Sequence, residues 1–261
     1  MAEPRAVSML KHAVGDGIRW VWGTAFRWGA IVSDTRAARR FGSFGEGSYI
    51  AFPQAVIMGE KYMHLGADVR IGPYVALSTG IGPGQVPVLE RTLVIGDHTV
   101  IGRGSAIAAH FSVEIGSNVW LAPECFVCDQ GHDWTDLDLP IGMQLGEAQA
   151  TRIGDNSWLG HGVIVLPGVT IGEHVAVGAG SVVTEDLPDR CVAVGSPARP
   201  VREHDPEHGW VRAAAVRSRA AGETSGATAG EASGGVVGRI AGGTEGDLPG
   251  GSAGGTSRET S

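Results

Sequence analysis

Cysteine is scarce in this chain of 261 residues, three in all. An odd number spread through a long sequence fits a reducing compartment and no disulfide framework. Long apolar runs are lacking too: none approaches the ~20 residues a membrane span needs, and the N-terminus lacks a signal-peptide pattern. Basic residues are outnumbered, 20 Lys and Arg against 28 Asp and Glu, and the net charge of −8 disfavours a nucleic-acid-binding surface. Cys125 and Cys128 form a CxxC without a second pair, which argues against a zinc ribbon. The default expectation is a cytoplasmic soluble protein, long enough for a sizeable core.

Glycine, by contrast, is abundant: 42 residues, thirteen of them after Ala221 in a low-complexity tail. The others punctuate a repeat that is clearest from Ile153 to Val183, where Ile153, Leu159, Val165, Ile171, Val177 and Val183 recur every six positions. Four of these six are followed by glycine. At about 100° per residue, six helical steps turn 240° and would scatter the aliphatics around the axis. Strand alternation suits the spacing, but glycine at every corner breaks any long strand. Short strands joined by tight corners remain, a hexapeptide solenoid or parallel β-helix. Access of glycine to positive φ is the expected reason for the corners.

The beat becomes legible at Leu65, Ile71 and Leu77, is interrupted over 78–88, and resumes at Ile95, Ile101 and Ile107. It slips by two residues before Ile115, Leu121 and Val127. Small or β-branched residues sit four after the aliphatic at Val69, Val75, Ser105, Val119, Cys125, Ser157, Val163, Val169, Val175 and Ser181, as a narrow interior of alternating volumes requires. Three hexads make a turn of 18 residues, so about five coils are expected, with the 50–64 region adding a less regular one. The longest break, 128–152, ejects a polar loop and resumes in phase; long loops on rigid scaffolds carry function.

Four units are therefore expected: an N-terminal arm (1–45), the solenoid (46–202), a short capping helix (203–220) and a disordered tail (221–261). In the arm, Ile18 to Trp28 holds four aromatics between two arginines, Arg19 and Arg27. Gly23 and Gly29 weaken a helix there. Packing on the solenoid or a neighbouring subunit is the favoured expectation, with contact to a membrane surface as the alternative. The stretch Phe41 to Gly47 reads as loop.

Residues 65–202 resemble the hexapeptide-repeat acyltransferases. The resemblance rests on Ile153-Gly154-Asp155-Asn156-Ser157-Trp158-Leu159-Gly160, on Leu166-Pro167-Gly168-Val169-Thr170-Ile171-Gly172, on Gly178-Ala179-Gly180-Ser181, and on Gly195-Ser196-Pro197-Ala198-Arg199. Asp129-Gln130-Gly131-His132 followed by Pro140-Ile141-Gly142 is similar to the sugar and polysaccharide O-acetyltransferase branch. The resemblance implies a left-handed β-helix, a homotrimer with sites between subunits, and acyl transfer from acetyl-CoA, a co-substrate with no permanent cofactor or metal. It implies that His132 is the catalytic histidine; the chemistry needs a base poised near neutrality to take the acceptor's proton. Asp129 or Asp133 would orient that imidazole, or is a solvated loop charge. By position Trp158, His161, Ala179, Thr184, Arg199 and Arg202 match the CoA-binding set, the arginines suiting phosphates. Glu185 stands where the family often has lysine, and a carboxylate there repels phosphate. His110 occupies an asparagine position of the galactoside-type branch and, with Glu114, is a candidate for the acceptor pocket.

The expected function is acyl-CoA-dependent O-acylation of a sugar, glycan or glycosylated small molecule. The alternatives are a non-catalytic trimeric scaffold and a γ-carbonic-anhydrase-like metalloenzyme on the same solenoid. The second needs two histidines five apart, and no His-x4-His occurs. With no N-terminal dinucleotide-binding domain, a nucleotidyltransferase fusion is not expected.

Overall fold

The computed structural model describes residues 5–80, 82 and 87–213, which all fall within one compact unit. The expectations for the tail, and for a helix beyond 213, lie outside the described residues. Six coils stack, each contributing one short strand to each of three flat faces. The first coil spans 43–58, so the stretch read as loop at 41–47 already contains a paired strand, Ser43–Phe44. The last full coil ends at Val183.

All three faces are built from the same repeat in register. On the first, Leu65, Ile95, Ile115, Ile153 and Ile171 lie opposite one another on successive coils. The second stacks Ile71, Ile101, Leu121, Leu159 and Val177, and the third Leu77, Ile107, Val127, Val165 and Val183. Every one of these side chains is at most 2% exposed, and so are Val69, Val75, Ser105, Val119, Cys125, Ser157, Val163, Val169, Val175 and Ser181, each four positions after one of them. A coil interior this narrow has no room for two large residues at one level, which explains the alternation of volumes. Cys125 is one of the small positions; burial raises its thiol pKa.

The glycines of the repeat have two causes: Gly104, Gly162, Gly168 and Gly180 take the expected positive φ, 67° to 79°, and the glycines of the dyads do not. Those following the aliphatics, such as Gly96 and Gly116, are not in the left-handed region. A Cβ on Gly96 would stand 2.6 Å from the backbone of Gly116 and Ser117 on the next coil. They are small because the coils approach closely. The positive φ falls two residues later, on Asp68, His98, Asn118, Asn156 and His174, with φ between 54° and 59°. Each of these donates its N–H to a carbonyl of the preceding coil at 2.8–2.9 Å. Asn and Asp tolerate this conformation better than most residues, and the bond offsets what it costs.

Antiparallel strands flank the second face. Ile31–Val32 pairs with Tyr49–Ile50 on the first coil. At the other end Cys191–Gly195 pairs with Ala198–Asp205, which pairs in turn with Gly209–Arg212. The capping helix expected over 203–220 is thus replaced, over 203–212, by a strand hairpin: the open ladder of the last coil offers backbone partners that an isolated helix would leave unpaired. The N-terminal arm, expected to be helical or irregular, is more regular than its glycines suggest. Arg5–Trp28 is a continuous α-helix despite Gly15, Gly17 and Gly23. No helix among the described residues is long and apolar enough to cross a membrane.

Two substitutions test this packing. Gly96→Ala is expected to destabilise by about 1–3 kcal/mol through overpacking against the next coil. Ile115→Ala is expected to cost about 2–5 kcal/mol through the cavity it leaves. Urea or thermal melts of the two variants against the parent give both values.

Candidate active site

The irregularities of the repeat lie on one edge of the solenoid, where the third face of one coil passes to the first face of the next. Strands leave the third face at Thr79, Ala109 and Cys128 and rejoin the first at Leu93, Val113 and Thr151. The two-residue slip before Ile115 is the turn 110–112, and the long break is 129–150 one coil further on. His110, Asp129 and His132 therefore share an edge.

Asp129 holds that edge together. It is fully buried, and its carboxylate accepts the N–H groups of His110, Phe111 and Ser112 at 2.7–3.0 Å. His110 Nδ1 stands 3.4 Å from Oδ1 of Asp129 and is buried without a well-formed hydrogen bond. Burial raises the carboxyl's pKa, but the His110 side chain and the three N–H groups more than offset it and hold the group below the usual carboxylate range. The carboxylate is committed to the 110–112 turn, so the structure does not bring Asp129 to the imidazole of His132. Asp133 is spent locally: its Oδ1 accepts from Trp134 N–H at 2.6 Å and Thr135 N–H at 3.0 Å. These bonds lower its pKa.

His132 is held by a residue that no motif pointed to. The loop closes as a short ladder: Gly146 N–H bonds Gly131 O, Asp133 N–H bonds Gln144 O, and His132 bridges Leu145. The carbonyl of Gln144 also lies 3.2 Å from His132 Nδ1. A carbonyl only accepts, so Nδ1 carries the proton and Nε2 is left as the basic atom of the ring. The buried Gln144 side chain bonds the carbonyls of Asp136 and Leu139, both at 2.8 Å, and accepts from Asp136 N–H at 3.1 Å. An amide that both donates and accepts replaces a peptide neighbour inside the loop. In the sequence Gln144 is one of three glutamines in the loop, with Gln130 and Gln149, and nothing there singles it out.

The thiols are poor nucleophiles. Cys128 is pushed up to about 11 by burial and by the charge of Asp129. Cys191 is raised to about 11 by burial, then by Glu203 and Asp189. Among the described residues, no group of three or more His, Cys, Asp or Glu is placed to hold a metal ion.

The residues matched to CoA binding lie on the last coils, on both sides of the third face. Trp158 is half exposed on the second face, in register with the exposed Trp120. His161 stands at the next corner, 3.9 Å from Glu124, and Ala179 is at the same corner one coil on. Thr184 lies across the third face, on the edge that carries the loops. Arg199 and Arg202 belong to the strand Ala198–Asp205. Arg199 is already occupied, its guanidinium 2.5 Å from Glu185 Oε1. The shallow pocket beside it, about 350 Å³, is lined by Glu185, Asp186 and Glu203 as well as Arg199, a mainly acidic surround for a phosphate. Glu114 pairs with Arg152 at 2.6 Å on the first face, so its carboxylate does not meet His110 or His132.

Family models agree with this architecture. The bacterial transferase hexapeptide (six repeats) matches 150–185, and the hexapeptide repeat of succinyl-transferase matches 92–122. A Mycobacterium tuberculosis protein described as a probable acetyltransferase is 34% identical over 178 residues, which are 66% of this chain and 59% of that one. The galactoside O-acetyltransferase of Escherichia coli is 32% identical over 152 residues, 56% of this chain and 66% of the relative. The chain spans about half to two thirds of the length of the curated relatives it matches. AntD, an N-acyltransferase from Bacillus cereus solved with dTDP and 3-hydroxybutyryl-CoA, superposes with a TM-score of 0.55 at 22% identity over 68% of this chain and 93% of that one, a likeness of fold. The solenoid is thus a left-handed parallel β-helix. The chain belongs to the hexapeptide-repeat acyltransferase family.

The Asp129 clamp has a pH signature. Its pKa is lowered on folding, so its contribution to stability is present above the ordinary value of 3.8 and is lost as pH falls below that value. Asp129→Asn is expected to be less stable at neutral pH and to show a shallower loss of stability between pH 5 and 3 (roughly the range in which unfolded Asp titrates). Urea melts across that range, parent against variant, read the difference.

Proposed function

We propose that the protein is an acyl-CoA-dependent O-acyltransferase, with acetyl-CoA as donor and a hydroxyl of a sugar, glycan or glycosylated small molecule as acceptor. The observation that carries this reading is the bond from His132 Nδ1–H to the Gln144 carbonyl, which leaves Nε2 as a base on the longest loop of the solenoid. In the proposed reaction the acceptor oxygen attacks the thioester carbonyl while Nε2 of His132 takes the hydroxyl proton. The tetrahedral oxyanion then collapses, the carbon–sulfur bond breaks, and the imidazolium returns the proton to the departing thiolate. No covalent intermediate is required, in keeping with the buried, raised thiols.

The relatives named acetyltransferases support acetyl-CoA, and the galactoside O-acetyltransferase supports a carbohydrate hydroxyl. A homotrimer, in which the loop of one subunit faces the donor coils of the next, is part of the proposal. The exposed Trp120, Trp158 and Phe126 on the solenoid faces suit such contacts. Trp158, His161, Ala179 and Thr184 would line the donor, with Arg202 and Arg199 toward its phosphates. His110 would border the acceptor.

The test is thiol release from acetyl-CoA with a panel of sugars, alongside thermal stabilisation by CoA. His132→Ala is expected to abolish turnover with CoA binding unchanged, and undiminished turnover in that variant would sink the mechanism. Gln144→Ala is expected to lower turnover by ~10-fold or more at unchanged CoA affinity, because a loosened imidazole costs orientation rather than binding. Glu185→Gln is expected to tighten CoA severalfold by releasing Arg199. If no acceptor consumes acetyl-CoA and CoA gives no stabilisation, the chain is a scaffold.

A further inference from the structure

The helix Arg5–Trp28 takes no part in the site, and its surface is poorly explained by the fold. At 3.6 residues per turn, Val14, Ile18, Val21 and Trp28 fall on one side, while His12, Asp16, Arg19 and Arg27 fall on the other. In a packed helix the first group would be covered. Here Ile18 is 63% exposed, Val21 59% and Trp28 84%. Its aromatic contact with the solenoid is Trp22 against Phe52, ring centroids 6.4 Å apart. The packing expected from sequence therefore does not occur within the chain.

The chemistry of the helix selects what would cover it. Four basic residues stand on it against one acidic, in a chain of net charge −8. Trp20, Trp22 and Phe26 lie at the boundaries between the apolar and charged sides, and all three are exposed. Aromatics at such boundaries suit the headgroup level of a bilayer, which is apolar beneath and wet above. The helix is not apolar enough to span a membrane. Arg19 is paired with Asp16 on the helix itself. An uncharged apolar partner would match the Val14 side and leave the excess positive charge, Arg27 above all, unanswered; an anionic bilayer answers both.

We propose that this helix binds the surface of an anionic lipid bilayer, lying in its plane with Val14, Ile18, Val21 and Trp28 among the acyl chains. Arg19 and Arg27 meet the lipid phosphates, and the acidic solenoid stays in water.

Flotation of the full-length chain with vesicles tests this, using phosphatidylcholine alone and phosphatidylcholine with about a third phosphatidylglycerol. The expected result is co-flotation with the anionic vesicles, weakened by high salt. Ile18→Glu with Val21→Glu is expected to abolish it. Arg19→Glu with Arg27→Glu, which leaves the apolar side intact, is expected to lower partitioning by roughly tenfold or more. An unchanged thermal midpoint in both variants shows that the solenoid is intact. Absence of binding to either vesicle overturns the proposal, as does equal binding by the Glu pair. If the parent does not float and the Glu pair lowers the sedimenting mass, the face is a contact between copies, which also overturns it.

Discussion

The backbone ladder between coils is the constraint on which the rest of this molecule depends. Each coil must lie about 4.8 Å from the next for its N–H and C=O groups to pair. That spacing leaves no room for a Cβ where the glycine of each dyad passes the following coil. It also brings like positions of the repeat into stacks, so one aliphatic every six residues suffices to fill three walls of a core. A side chain too large or too small at one level disturbs the levels above and below it, since the coils have no other partners.

Departures from the ladder are confined to one edge, and there side chains take over the work of the backbone. Asp129 accepts three consecutive N–H groups that a regular corner would have paired with the neighbouring coil. Gln144 supplies both a donor and an acceptor to the interior of the 129–150 loop, and its own carbonyl orients His132. A buried carboxylate and a buried amide are costly without partners, and each is fully employed. The loop is thereby held by buried side-chain bonds where the solenoid is held by its ladder.

Much of the fold was legible because its information is local in period. The aliphatics on the beat from Leu65 to Val183 are in the interior, and so are the small residues expected there from Val69 to Ser181, Cys125 among them. The position of His132 was visible too, as the histidine of the one long break. Glycine at positive φ was foreseen and holds at Gly104, Gly162, Gly168 and Gly180, but a glycine count does not tell these from the dyad glycines, whose cause is close approach. The hairpin at 203–212 was read as a helix because nothing in Glu203 to Arg212 alone reveals the open strand edge beside it. Gly23 and Gly29 suggested a weaker helix than the continuous one from Arg5 to Trp28, since glycine lowers helix propensity without forbidding the helix.

By itself, then, the sequence determined the solenoid, its interior and the place where it breaks, because a six-residue period admits no other arrangement of buried side chains. Only the tertiary structure decided which groups meet across coils. Asp129 reaches residues 17–19 positions earlier, His132 is held by a carbonyl 12 positions later, and Glu185 takes Arg199 from 14 positions away. Such pairings depend on register and on the path of a loop, and a period carries no information about where a loop returns.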